Sequence, residues 1–417
     1  MSVEKDMGKN MAKGDWKKKT ILFLTSQTIS LFGSSLVQYA IAWYVALETQ
    51  SGIMMTIAIL CGFLPTFFLS PFAGVWADRY NRKTLIILSD SMIALSTLGI
   101  AVLFLIGYNS IWLLFVVSAV RALGTAVQTP TVGAFIPQLV PEDKLIRVNA
   151  TNSSIQSMIM VVSPMISGAL LSVANVETIF FIDVLTAAVA VSILLLFLKA
   201  PVHAKAMEKQ TTSYYSDMFE GYRYIRKHGF LKKIFLFCAI FFIFAAPAAF
   251  LTPIQVTRSF GIEVWRLTAI EIVFSCGMLL GGLIMVSWGG FKNKLHSMVL
   301  STAVMGFCTF ALGVVPVFWI YLFFMGLTGI SMPIFNTPFT VLLQQKIEAD
   351  FLGRVFGVLG MISSIMMPVG MLVFGPISDF IKIEWLLIGT GIVMLIQSVV
   401  MLSDKVLIEA GKPVDNV

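Results

Sequence analysis

Apolar residues in this chain gather into long runs separated by short polar stretches. A bilayer core of about 30 Å is crossed by roughly 20 apolar residues in an α-helix. Twelve runs meet that length: Thr20 to Ala46, Ile53 to Ala77, Thr84 to Ile106, Ile111 to Phe135, Asn149 to Val173, Thr178 to Leu198, Leu231 to Thr257, Val264 to Gly289, Leu295 to Val314, Phe318 to Leu343, Val355 to Phe380 and Trp385 to Leu402. They predict an all-α membrane protein of twelve transmembrane helices. The first run follows Lys17, Lys18 and Lys19. Its apolar core is too long for a signal peptide, and no small-residue cleavage pattern follows, so it is expected to be a retained helix. Only the connection 199–230 is long, and it divides a first six-helix bundle, 1–198, from a second, 231–417. This connection is read first as a solvated hinge between the two halves, with a short amphipathic surface helix over 217–227 as the alternative.

Composition fixes the solvent. With 58% hydrophobic and 12% charged residues and a mean hydropathy of +0.89, the chain has too little polar surface for a water-soluble domain of this length. The formal charge of +7 raises the question of nucleic acid, which the placement of the charges answers. With the amino terminus inside, 25 of the 29 lysines and arginines fall in inside segments. The positive-inside rule then predicts both termini in the cytoplasm and accounts for the basic balance without a nucleic-acid partner. The cysteines, Cys61, Cys238, Cys276 and Cys308, each stand alone in an apolar run and are expected to be buried structural thiols. No histidine lies at ligand spacing from them, so neither a metal nor any other cofactor is indicated.

The halves repeat. A shift of 207 residues places Asp143, Leu145, Arg147, Val148 and Ala150 on Asp350, Leu352, Arg354, Val355 and Gly357; a shift of 208 places Thr129 and Pro130 on Thr337 and Pro338. Two six-helix repeats related by an axis along the membrane normal are a transporter design, with cargo held near mid-bilayer between them. Pro130 and Pro338 are expected to interrupt the fourth and tenth spans, and Pro164 and Pro368 the fifth and eleventh. Such breaks expose carbonyls that need protein or a wet cavity, which gives these prolines a hinge or cavity role.

A charge at a membrane helix centre costs roughly 2.5–3.5 kcal/mol or more unless it faces a partner or water. Asp90, Arg121, Asp183 and Glu271 are placed that way. Glu271 is the preferred carrier of a coupling proton, since an apolar surrounding disfavours the charged carboxyl. Asp183 and Asp90 follow, and Arg121 would bias a neighbouring acid toward ionisation. A fixed buried ion pair or a helix-to-helix hydrogen bond is the other use for any of these acids. Gln38, Trp43, Gln128 and Asn336 are candidate cavity-lining groups. The 23 methionines and 34 phenylalanines suit a deformable apolar compartment.

Family resemblance enters through 74–83, GVWADRYNRK. It resembles the loop signature of the major facilitator superfamily, with Gly74 ahead of Asp78-Arg79 and the basic pair Arg82-Lys83. Asn81 stands at the family's usual glycine and is expected to keep a left-handed turn. This resemblance implies a cytoplasmic latch in which Asp78 docks on the positive amino end of span eleven, around Gly353 to Gly357. In the second half Val286 falls where the matching aspartate would be. Arg121-Ala122-Leu123-Gly124 resembles the arginine motif of proton-coupled facilitators. Ser163-Pro164-Met165-Ile166-Ser167-Gly168 resembles a worn export motif, making Pro164 and Gly168 candidates. The runs 62–65, 182–185, 274–282 and 352–356 are similar to macrolide-efflux (Mef-type) proteins and, more distantly, to enterobactin exporters. What this implies is proton-driven export of small hydrophobic or amphipathic compounds, macrolide-type antibiotics among them, from a bacterial inner membrane. The partners are then the lipid bilayer, the cargo and protons, with no obligate protein partner evident. A siderophore or metabolite exporter of the same fold is the alternative. An ATP-driven pump is disfavoured because no phosphate-binding loop is present, and a membrane enzyme because no polar residues cluster as a catalytic site.

Overall fold

In the computed structural model, residues 15–198 and 223–412 are described. The helices are α1 (Asp15–Thr49), α2 (Gly52–Arg79), α3 (Arg82–Leu105), α4 (Ile111–Leu139), α5 (Leu145–Val173), α6 (Val176–Phe197), α7 (Gly229–Phe250), α8 (Thr252–Ser259), α9 (Val264–Trp288), α10 (Lys294–Val314), α11 (Phe318–Lys346), α12 (Ala349–Phe380), α13 (Ile383–Ser403) and α14 (Lys405–Ala410). Among the described residues twelve segments are long and apolar enough to cross a membrane, α7 and α8 forming one of them, and the fold is all-α. The proposed surface helix lies outside the described residues except for 223–227, which are helical.

Several expectations change. Helix α1 begins five residues before the first apolar run and α5 four before the fifth, because polar residues at the lipid boundary keep helical hydrogen bonds that hydropathy does not register. The prolines do not interrupt their spans: Pro130, Pro164, Pro338 and Pro368 all sit inside helices that run through them. The seventh span does break, at Leu251, where Pro253 takes an opening position of α8, since proline lacks the N–H that a continuing helix would use. Asn81 is extended, with φ −63° and ψ 112°, and its side chain accepts from the Thr84 amide, capping α3. A capping carboxamide satisfies an orphan N–H without any left-handed residue. Of the four thiols, Cys238 and Cys308 are buried, Cys61 is half-buried and Cys276 is exposed on its helix.

Contacts divide the chain into two compact units. The first comprises 1–45 and 57–209, and the second 46–56 and 210–417. In the first, Phe23, Ile86, Phe135, Ile136, Leu139 and Leu194 form a core cluster, with the Phe23 and Phe135 rings edge to face at 5.0 Å. In the second, Leu231, Ile234, Phe235, Phe335, Phe339, Leu343 and Val355 do the same. Lipid tails are as apolar as these side chains, so helix association here depends on close packing and interhelical hydrogen bonds rather than on transfer from water.

The second unit shows this at α9 and α11. A Cβ on Gly277 would stand 2.4 Å from the Gly326 carbonyl oxygen, and one on Gly329 would stand 2.2 Å from that of Phe274. The backbones touch there, which only glycine permits. Gly391 on α13 meets the Phe310 amide of α10 in the same way, at 2.5 Å.

Candidate functional site: a polar core among apolar helices

Two tiers of polar side chains lie inside the first unit, on α1, α3, α4 and α6. Residues seven apart on a helix are two turns, about 10 Å, apart on one face. Asp90 and Thr97 are so spaced on α3, and Arg121 and Gln128 on α4; because the two helices run in opposite directions, Arg121 meets Thr97 and Gln128 meets Asp90. From α1, Gln27, Ser30 and Ser34 follow a three-then-four spacing that keeps them on one stripe.

In one tier, Arg121 Nη1 pairs with Asp183 Oδ2 at 2.5 Å and also donates to Thr97 Oγ1. Arg121 Nη2 donates to the Ser34 carbonyl at 3.2 Å. Thr97 Oγ1 donates to Asp183 Oδ2 at 3.0 Å, and Ser34 Oγ to Asp183 Oδ1 at 3.3 Å. Gly33 makes room for this tier, since a Cβ there would collide with Thr186 Oγ1 at 2.0 Å and approach Asp183 within 3.1 Å. Buried charges are tolerated when paired and hydrogen-bonded, and Asp183 has both.

The other tier differs. Asp90 is 1% exposed. Its Oδ1 accepts from Ser30 Oγ at 3.0 Å and from Gln128 Nε2, while its Oδ2 meets no partner at full hydrogen-bond geometry. No cation pairs with it among the described residues.

Glu271, on α9, is half-buried and has no ion-pair or hydrogen-bond partner among the described residues. Trp43 is 1% exposed, packed in the first unit against Tyr39 with ring centroids 5.6 Å apart. Gln128 commits its amide to Asp90. Gln38 and Asn336 are exposed on α1 and α11. Pro164 and Gly168 are buried on α5, where Ser167 donates to the Leu36 carbonyl at 3.1 Å and joins α5 to α1.

In the signature loop, Arg82 donates from Nε to the Ala77 carbonyl and from Nη1 to that of Ala134, each at 2.8 Å; Lys83 donates to the Leu198 carbonyl at 2.7 Å. Arg82 and Lys83 thus bond terminal carbonyls of α2 and α6, and Arg82 also ties α2 to α4 through Ala134, a use that positive-inside charge alone does not require. Gly74 is half-buried and Arg79 exposed. The side chain of Asp78 and the positions Gly353 and Gly357, on which the latch depends, lie outside the described residues.

A site that the apolar pattern concealed lies in the second unit. Asp379, near the end of α12, accepts from Ser51 Oγ at 2.7 Å, from the Gly52 amide at 2.8 Å and from the Ile53 amide at 3.1 Å. Arg258 of α8 pairs with it at 2.9 Å and donates to the Ser378 carbonyl at 2.7 Å and to that of Gln50 at 2.9 Å. Gln50 takes φ +47°, the one left-handed non-glycine among the described residues. The stripe of Gln27, Ser30 and Ser34 was missed in the sequence, although polar residues at helical spacing in an apolar run mark it. No such periodic signal marks Asp379.

The comparisons with known proteins agree with this architecture. Residues 23–371 match the model of the Major Facilitator Superfamily. The chain is 30% identical over 388 residues to macrolide efflux protein A of Streptococcus pyogenes, covering 92% of this chain and 96% of that protein. It is 24% identical over 222 residues to the staphyloferrin A transporter of Staphylococcus aureus, 52% of this chain and 54% of that one. A bacterial homologue of the iron transporter ferroportin, solved in an inward-facing state, shares the fold with a TM-score of 0.68 at 13% identity, covering 93% of this chain and 99% of that one. The chain belongs to the Major Facilitator Superfamily. It is a multi-pass membrane transporter of small molecules, not an enzyme.

Proposed function

We propose that this transporter exports small hydrophobic or amphipathic compounds, macrolide-type antibiotics among them, from a bacterial cytoplasm in exchange for protons. It works by alternating access, with both termini cytoplasmic. The observation that carries this reading is the set of ionisable side chains buried inside the first unit, the Arg121–Asp183 pair and the separate Asp90 carboxyl, since ionisable groups inside membrane spans mark ion and substrate pathways. The full-length likeness to a macrolide efflux protein supports the cargo class and direction. Coupling falls to one of the membrane acids, Asp90, Asp183 or Glu271, and the signature loop from Gly74 to Lys83 serves as the latch, with Asp78 docking near Gly353 and Gly357.

Siderophore or metabolite export is the second reading, favoured by the partial likeness to a staphyloferrin A transporter. A susceptibility and efflux screen in a pump-depleted bacterial host separates the two. Macrolide resistance that collapses on adding a protonophore is expected. Unchanged macrolide susceptibility with restored secretion of an iron chelator overturns the first reading in favour of the second.

A further inference from the structure

The Asp90 tier contains two buried polar atoms, Asp90 Oδ2 and Gln27 Nε2, that meet no partner at full hydrogen-bond geometry, although they lie near enough to interact with each other. Both residues are closed off, Asp90 at 1% exposure and Gln27 at 8%, and the Gln27 side chain faces the Asp90 carboxyl. Oδ1 is held by Ser30 and Gln128, so the carboxyl is fixed in orientation while its second oxygen is left for one more bond.

Charges around it are few. Arg121 on α4 and Asp183 on α6 form their own ion pair, and the Asp183 charge is the one that still reaches Asp90. Arg82 and Lys83 on α3, Glu177 on α6, and Lys17, Lys18, Lys19 and Glu48 on α1 stand near helix ends. Arg82, eight positions from Asp90, is about 12 Å away along the axis. Nothing on α1 facing the carboxyl is charged: it presents Ser30 and Gln27.

A carboxamide has a donating end and an accepting end, and the two are exchanged by a half-turn of the side chain. With its NH₂ toward Asp90, Gln27 donates to an ionised Oδ2. With its carbonyl toward Asp90, it accepts from the O–H of a neutral carboxyl. The same neighbour thus satisfies either protonation state, which a lysine or arginine partner would not do and which Asp183, pinned by Arg121, lacks. We infer that Asp90 is the residue that takes up and releases the transported proton, and that Gln27 is the positioning residue whose amide turns over to match each state. This rests on the proton-coupled reading above and names the group that performs it. Release is the loss of the proton from Oδ2 as the carboxyl becomes ionised, and uptake is its return.

The test is an infrared pH titration of the purified full-length protein, wild type against Asp90→Asn and Gln27→Leu. Expected is a buried-carboxyl stretching band in the wild type that fades as pH is raised and is absent from Asp90→Asn. Hydrogen bonds to charged groups are the stronger ones, so Gln27→Leu penalises the ionised form more and moves the midpoint upward by about one pH unit. A purely structural role for Gln27 would leave the midpoint in place. If Asp90→Asn does not fold, the Gln27→Leu shift decides alone, and an unmoved midpoint overturns the assignment. A companion assay follows a radiolabelled macrolide in proteoliposomes under an imposed pH gradient. Wild-type transport that ignores the gradient overturns the proton-coupled reading itself. Gradient-driven transport that survives unchanged in Asp90→Asn overturns only the assignment to Asp90.

Discussion

Arg121 and Asp183, 62 positions apart in sequence, meet at 2.5 Å in the interior of the first unit, with side chains 10% and 0% exposed. Neither charge would persist there alone. Removing one partner of a buried pair leaves the other uncompensated, at about 3–5 kcal/mol, whereas replacing both by apolar residues of similar size costs far less. Arg121→Met and Asp183→Leu are each expected to lower thermal stability in detergent markedly, and the double variant to recover most of the loss. A double variant as unstable as the sum of the singles would show that the two residues act independently.

Asp379 is expected to hold the start of α2. It accepts from both the Gly52 and Ile53 amides, the role of a helix-capping side chain, whose loss typically costs 0.5–2 kcal/mol. Asp379→Ala should speed hydrogen exchange at these amides and at the following turn while leaving exchange at the α3 core near Ile93 unchanged. Equal protection before and after the substitution would mean that the helix start is held by something else.

The glycine seam makes a paired prediction. Gly277→Val puts side-chain atoms where the Gly326 carbonyl already lies, whereas a Cβ on Gly282, on the same helix, meets nothing within 4 Å. Overpacking of this kind costs about 1–3 kcal/mol or more. Melting of the two purified variants should therefore separate them clearly, with Gly282→Ala near wild type.

Acid should act at Asp404. Its hydrogen bond to Lys233, at 2.6 Å, holds the carboxyl below the usual carboxylate range, helped by the Leu407 and Val406 amides that it caps and opposed by slight burial. A group with a depressed folded value stabilises at pH above its unfolded value, near 3.9, and that contribution fades as pH falls through the folded one. Wild-type stability should therefore lose a component below about pH 4, and Asp404→Ala should lack that component while being weaker at neutral pH.

The spans were legible because lipid demands about twenty apolar residues in a row, and a chain that meets this twelve times leaves little freedom of class. The charged residues of the candidate site were legible for the same reason, standing out as Asp90, Arg121 and Asp183 against apolar surroundings. Their pairing was not. Sequence gives no registry between α4 and α6, so whether Arg121 would meet Asp183 or another acid depended on tertiary packing. Glu271 drew attention for its setting, yet setting alone does not tell a bonded carboxyl from a bare one, and only coordinates distinguish it from Asp90. Asn81 was misjudged because asparagine suits two local geometries, a left-handed turn and a helix cap, and the residue type alone does not choose between them. Asp379 escaped notice because a single acid at the end of an apolar run looks like an ordinary boundary residue.

Where α9 and α11 press backbone to backbone, there are no rotamers to reshuffle and no slack to take up. The two helices are therefore bound to travel as a single plank. Glu271 stands six positions from Gly277, about 9 Å along the same axis, so its carboxyl is a passenger on that plank. Any displacement of α11 that keeps this seam closed therefore carries the backbone of the acid with it.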